Sequence, residues 1–300
     1  MSRRFYTLDV FTREALAGNP LAVVVDAEGL DGARMQQIAR EFNLSETVFV
    51  LPARNPVNTA RVRIFTPTSE LPFAGHPTIG TAVLLASLRA PEFAGGADLA
   101  VVLEEPVGDV ACTVRLARSG ASFAYFRSPR LPERLEEADA AACAAALSLA
   151  PEDIGFDAHR PVVWTAGTPF CFVPVASRAA LDRARPRADL LETAAAGGRG
   201  LYCYTRETLD PEHAAHARMF SAMMPGLEDP ATGSAAAAFA GAALEFERPG
   251  DGEHALVIEQ GFAMGRPSLI TLCLHVEKGE LTASTVGGHA VRVSEGTLAL

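Results

Sequence analysis

Apolar and polar positions alternate over short runs that Gly and Pro repeatedly interrupt, a pattern of many strands and few helices. In the first part of the chain it predicts strands at 4–10, 21–25, 47–51 and 59–65. A helix is predicted over 31–42, with Asp31 as N-cap and Met35, Ile38, Ala39 and Phe42 on one face. After the loop FTPTSELPFAGHP comes a helix from Thr78 to Leu88, then strands at 99–104 and 110–117. The second part is predicted to hold strands at 122–127 and 170–176, a helix over 179–193, and strands at 200–205 and 216–221. A late helix from Ala231 to Phe246 and strands at 254–259 and 268–276 follow. A terminal pair, ELTASTV and HAVRVSEGTLAL, is left over and is expected to return to the first part.

The two parts repeat each other. GNPLAVV at 18–24 matches GTPFCFV at 167–173, and RIF at 63–65 followed by PTIGTA at 77–82 matches RMF at 218–220 followed by PATGSA at 230–235. The matches keep their order and lie about 150 residues apart, which marks two homologous halves. The expected domains are 1–118, with 283–300 returning to it, and 119–282. The two late helices, TIGTAVLLASL and ATGSAAAAFAGAAL, are apolar or small around their whole circumference. Such helices are buried on all sides, so each is expected to be wrapped by the strands of its own half in an α+β fold.

Composition narrows the function. A chain of 300 residues with 49% hydrophobic content suits two ordinary domains. With 26 basic against 36 acidic residues the formal charge is −10, which argues against nucleic acid and anionic membrane surfaces as partners. MSRRFYTLDVF lacks the apolar core of a signal peptide, and the alanine-rich run from Ala140 to Ala150 is too short to span a bilayer, so a cytoplasmic location is expected. The five cysteines contain no CxxC and read as buried thiols. Lys278 is the single lysine and lies in EKGE, so neither a pyridoxal phosphate Schiff base nor a Walker A loop can be built. Without GxGxxG or HExxH either, catalysis is expected to rest on ordinary side chains, with no cofactor and no metal.

The starts of the two apolar helices are the candidate chemistry. A helix N-terminus offers unpaired amides and partial positive charge, and Gly and Ser in its first turn let a ligand come close. By the repeat, His76 precedes the helix-opening Pro in one half and Asp229 in the other, which would give an anion-binding cleft with acid and base groups on opposite walls. The plainer alternatives are Asp229 as an N-cap and His76 as a satisfied turn histidine. Glu46, in NLSETVFV, enters an apolar strand, where partial desolvation would suit it to acid/base work; a solvent-facing Glu is the alternative. Its repeat partner falls in GGRGLY, without a carboxylate. His213 and His216 form HxxH beside Glu212 but suggest no third ligand, and are read as surface positions. Glu104, Glu105 and the RLEEAD run are read as solvated faces, while Phe170 and Phe172 alternate as core strand residues do.

GNPLAVV, NLSETVFV, RIFTPTSELPFAGHPTIGTA, DPATGSAAAA, QGFAMGRPS and the final VGGHAVRVSEGTL together resemble the PhzF family of phenazine-biosynthesis isomerase-like proteins over nearly the whole chain. The resemblance implies the diaminopimelate epimerase-like fold, two pseudo-symmetric domains that are each a strand-rich barrel around a central helix. It also implies a cofactor-independent isomerase moving a proton on a small carboxylate-bearing substrate, with Glu46 as general acid/base and His76 and Asp229 beside it. Gly75, Gly233, Ser234 and Asn19 would bind substrate, and a homodimer is expected. The epimerases of this fold use a cysteine at each helix start; here those places read Ala74–His76 and Asp229–Ser234, which leaves a carboxylate shuttle. The rival expectations are a lyase or hydrolase chemistry in the same cleft, or a non-catalytic small-molecule-binding protein of the same fold.

Overall fold

The computed structural model describes residues 2–300, and the chain divides into two units, one running to Arg127 and including Gly287–Leu300, the other Ser128–Val286. In the first unit β1 (Ser2–Val10) lies antiparallel to β2 (Asn19–Val24). From there the chain crosses through α1 (Gly32–Phe42) to β3 (Glu46–Leu51), parallel to β2. Asp31 caps α1 by accepting from the Arg34 amide, and Met35, Ile38 and Ala39 are its buried residues, as the periodicity requires. β4 (Ala60–Phe65) returns antiparallel to β3 and folds back on the two-residue β5 (Glu70–Leu71). α2 (Gly75–Arg89) then leads to β6 (Leu99–Glu105), parallel to β4, and β7 (Gly108–Arg115) and β8 (Ser122–Arg127) follow antiparallel. The C-terminal strand Glu280–Ala299 pairs with β1 and with β8, so the pairings return on themselves as a barrel.

α2 occupies the inside of that barrel. Every residue from Gly75 to Ala86 is buried, and the helix touches β1, β2, β3, β6, β7 and β8. Close approach of the wall explains Gly80: a Cβ there would lie 2.6 Å from Leu21 Cδ2 and 2.8 Å from Val10 Cγ2.

The second unit repeats this order. After β9 (Glu133–Glu137) and α3 (Ala140–Leu147), β10 (Val162–Thr165) runs antiparallel to β11 (Pro169–Pro174), as β1 does to β2. The crossover holds α4 (Arg178–Arg183) and α5 (Ala188–Ala194) and ends in β12 (Leu201–Thr205), parallel to β11. β13 (Ala215–Phe220) folds back on β14 (Glu228–Asp229), and α6 (Gly233–Glu247) leads to β15 (Gly252–Gln260), parallel to β13 and antiparallel to β16 (Ser268–Glu277). β17 (Glu280–Ala299) is the C-terminal strand described above. α6 is buried from Ala235 to Ala243 and touches β9, β10, β11 and β16.

The repeat extends to side chains. Arg63 on β4 grips Glu70 on β5 with Nε–Oε1 at 2.7 Å and Nη2–Oε2 at 2.6 Å, and Arg218 on β13 grips Glu228 on β14 with both contacts at 2.8 Å. A two-point Arg–carboxylate contact fixes direction as well as distance. In each unit it therefore aims the segment that runs into the apolar helix.

Several expectations are corrected. Residues 122–127 pair with β7 and close the first unit instead of opening the second half. The helix expected over 179–193 is two, because Pro186 supplies no amide and forces the residue before it out of helical geometry. The terminal pair is one continuous strand. Glu104 and Glu105 are buried, and His216 is a buried residue of β13.

Gly241 in α6 meets the second unit's wall more tightly than Gly80 meets the first: a Cβ there would lie 2.3 Å from Trp164 Cε3. Gly241→Ala is expected to destabilise this unit by about 2 kcal/mol through overpacking. Trp164 is the single tryptophan, so its fluorescence in urea reports the unit directly; an unchanged midpoint would remove the close-packing account.

Candidate active site

In the first unit the site begins with register. β2 and β3 are parallel with Leu21 opposite Glu46, so both strands start at the same end of the barrel, β2 on Asn19 and β3 on Glu46. Asn19 and Glu46 are both buried. α2 starts at this end too: the His76 ring donates to the Pro20 carbonyl, and its Nε2 lies 3.2 Å from Glu46 Oε2. Gly75 and His76 are the first two residues of α2, whose N-cap, Ala74, has no side chain to give, so the helix entrance is not capped by a side chain.

Electrostatics sharpen this pair. Burial pushes the His76 imidazole down to about 3, with the Pro20 hydrogen bond working the other way, so the ring is neutral through the physiological range. A neutral imidazole has one N–H. With Nε2 facing Glu46, that hydrogen sits on Nδ1 and goes to Pro20. Nε2 then presents a lone pair, with Glu46 Oε2 3.2 Å away. Glu46 and His76 thus form a buried carboxyl–imidazole pair in which the imidazole is neutral.

In the second unit Asp229 ends the two-residue β14 and is buried. It does not cap α6, whose N-cap is Thr232; instead Thr232 Oγ1 donates to Asp229 Oδ2 at 2.6 Å. Gln260, fully buried at the end of β15, clamps both: its Nε2 reaches the Asp229 carbonyl at 2.9 Å and Thr232 Oγ1 at 3.0 Å, and its Oε1 accepts from the Thr232 amide at 3.1 Å. Gly233 and Ser234 open α6, Gly233 buried and Ser234 partly exposed. No local sequence pattern marks the Thr232–Gln260 contact, although Gln260 heads the QGFAMGRPS stretch.

Other candidates resolve differently. His213 and His216 are not a surface pair: both hold the buried Glu259 carboxylate, at 2.8 and 2.7 Å, together with the amides of Leu209 and Asp210. Burial alone would raise Glu259, but those amides and the two histidines hold it below the usual carboxylate range. Its task is to fasten the 209–216 segment onto β15. Among the described residues no group of three His, Cys, Asp or Glu side chains could hold a metal ion, and no helix is long and apolar enough to cross a bilayer. Cys112, Cys143, Cys171 and Cys203 are buried and Cys273 is partly so.

Two units that each wrap strands around an apolar helix, with a buried carboxyl–imidazole pair where one of those helices begins, define an isomerase-like enzyme of epimerase-type fold. The model of the phenazine biosynthesis-like proteins, PhzC–PhzF, matches residues 8–296, and the chain belongs to that family. A protein of Mesorhizobium japonicum, named an uncharacterized isomerase, is 52% identical over 99% of both chains. The trans-2,3-dihydro-3-hydroxyanthranilate isomerase of Pseudomonas chlororaphis is 33% identical, again over 99% of both. The crystal structure of a Bacillus anthracis phenazine biosynthesis protein of the PhzF family superposes with a TM-score of 0.87 at 26% identity, covering all of both chains.

Proposed function

We propose that the chain moves a proton between carbons of a small carboxylate-bearing substrate, with Glu46 as the proton carrier and no cofactor. The observation that carries this reading is the 3.2 Å approach of Glu46 Oε2 to a His76 ring held neutral by burial. An isomerisation conserves every atom, so a proton taken from one carbon must return at another, and a carboxyl group can do both. His76, neutral beside it, holds the carboxyl in place. The amides at the uncapped entrance of α2, around Gly75, and Asn19 bind the substrate's polar groups. Asp229, Gly233 and Ser234 stand at the matching entrance of α6 and are proposed as groups that bind a carboxylate-bearing ligand. The substrate named for the Pseudomonas relative, trans-2,3-dihydro-3-hydroxyanthranilate, is the one we assign, because it carries a carboxylate and is the substrate of an isomerisation.

The test is turnover of trans-2,3-dihydro-3-hydroxyanthranilate in D2O, followed by NMR. The expected product is an isomer in which the migrating hydrogen is either returned by Glu46 or exchanged for solvent deuterium, and Glu46→Gln is expected not to form it. Isomer formed by Glu46→Gln at the wild-type rate would overturn the carboxyl shuttle, and no isomer from the wild type would overturn the substrate assignment.

A further inference from the structure

Glu105, expected at the surface, closes β6 from the inside. It is 7% exposed, and its carboxyl meets Thr78 in the first turn of α2, with Glu105 Oε1 at 2.7 Å from Thr78 Oγ1. The same hydroxyl lies 2.8 Å from the Ala74 carbonyl, which also accepts the Thr78 amide. A threonine hydroxyl has one hydrogen and two lone pairs. If that hydrogen goes to Ala74, the contact with Glu105 needs a hydrogen from Glu105. The three groups then form a directed chain from the Glu105 carboxyl through Thr78 to the carbonyl of the residue that precedes Gly75 and His76.

We propose that Glu105 is a positioning residue: as a neutral carboxylic acid it donates to Thr78, and so fixes the Ala74–His76 entrance of α2 against Glu46. The inference rests on the proposed role of the Glu46–His76 pair. Ionised, Glu105 would demand the Thr78 hydrogen for itself and release Ala74.

The surroundings keep the acid neutral. Burial pushes it up to about 8, and Glu105 Oε2 is buried with no hydrogen-bond partner. From β7 it faces Cys112, whose thiol is itself raised by burial and stays neutral. The titratable groups of α2 are His76, which is neutral, and Arg89 at its far end. A pocket of about 410 Å³ joins Glu105 to Arg54, Arg61, Arg63, Glu70 and Glu104. Arg63 is taken by Glu70, and the Glu104 carboxylate by the Arg54 and Asn55 amides and the Asn58 side chain.

The test follows the Gly75 and His76 amides by 15N–1H NMR in the intact protein from pH 6 to 10. The wild type is expected to show one titration step near pH 8. Glu105→Gln, whose amide donates to Thr78 at every pH, is expected to lose the step and keep the wild-type low-pH positions. Thr78→Ser should retain the step and Thr78→Val lose it. A step that persists in Glu105→Gln, or a wild type without one, overturns the proposal. With trans-2,3-dihydro-3-hydroxyanthranilate, the alkaline fall in kcat near pH 8 should vanish in Glu105→Gln while KM is unchanged. Full turnover by Glu46→Gln would instead strike the proposed function and leave the amide titration standing.

Discussion

Glu46→Gln is expected to fold as the parent does and to lose turnover by about 10³-fold, the range that a single acid/base group supplies. The side chain is buried, so size and hydrogen bonding decide the structural outcome. Glutamine keeps the size, and its amide N–H can face the His76 Nε2 lone pair. What it cannot do is accept a proton from carbon and return it. The measurement is kcat with trans-2,3-dihydro-3-hydroxyanthranilate, beside the NMR signals of the His76 ring. Because His76 titrates only at about 3, those signals should be flat from pH 5 to 7, below the Glu105 step, in both proteins. Retention of kcat within tenfold would remove Glu46 from the chemistry. Glu46→Ala is the contrasting variant: it leaves His76 facing a void, and its loss would mix chemistry with packing.

Much of this architecture is legible in the sequence because its signals are local. The all-apolar circumference of the two late helices states that they are enclosed, and the GNP, RIF and RMF, and PTIGTA and PATGSA matches state that the enclosure occurs twice. The meeting of Glu46 and His76 is of another kind. It depends on which residue of β3 lies beside Leu21 of β2, and on His76 reaching back to Pro20, neither of which any local pattern encodes. Glu105 shows the converse failure. In sequence, Glu104–Glu105 before Pro106 looks like the wet end of a strand, and for Glu104 the loop at 54–58 covers the carboxylate. For Glu105 it is α2, nearly 30 residues earlier, that buries it. His213 and His216 likewise show as an isolated pair until β15 brings Glu259 to them. Long-range burial turns apparent surface charges into internal ones, and hydrophobic period carries no record of it.

The same buried carboxyl predicts an unusual dependence of stability on pH. In the unfolded chain Glu105 loses its proton near the ordinary 4.5, while in the folded protein it keeps it to about 8. Between those values the folded state holds one proton more than the unfolded, so the first unit is most stable below pH 4.5 with respect to this group and weakens as pH rises towards 8. At about 1.4 kcal/mol per pH unit, the cost at pH 7 is about 3 kcal/mol. Glu105→Gln removes the titration and keeps the donor to Thr78. It is therefore expected to gain stability relative to wild type by about 2 to 3 kcal/mol between pH 5 and pH 7. Trp164 lies in the second unit and does not report this change, so the measurement is hydrogen exchange of the β6 and β7 amides at the two pH values. If the difference between the two proteins is the same at both, Glu105 is ionised in the folded state and the chain through Thr78 to Ala74 carries no acid proton. If it grows with pH as expected, the first unit gives up stability at neutral pH to keep a protonated acid beneath the helix that presents His76.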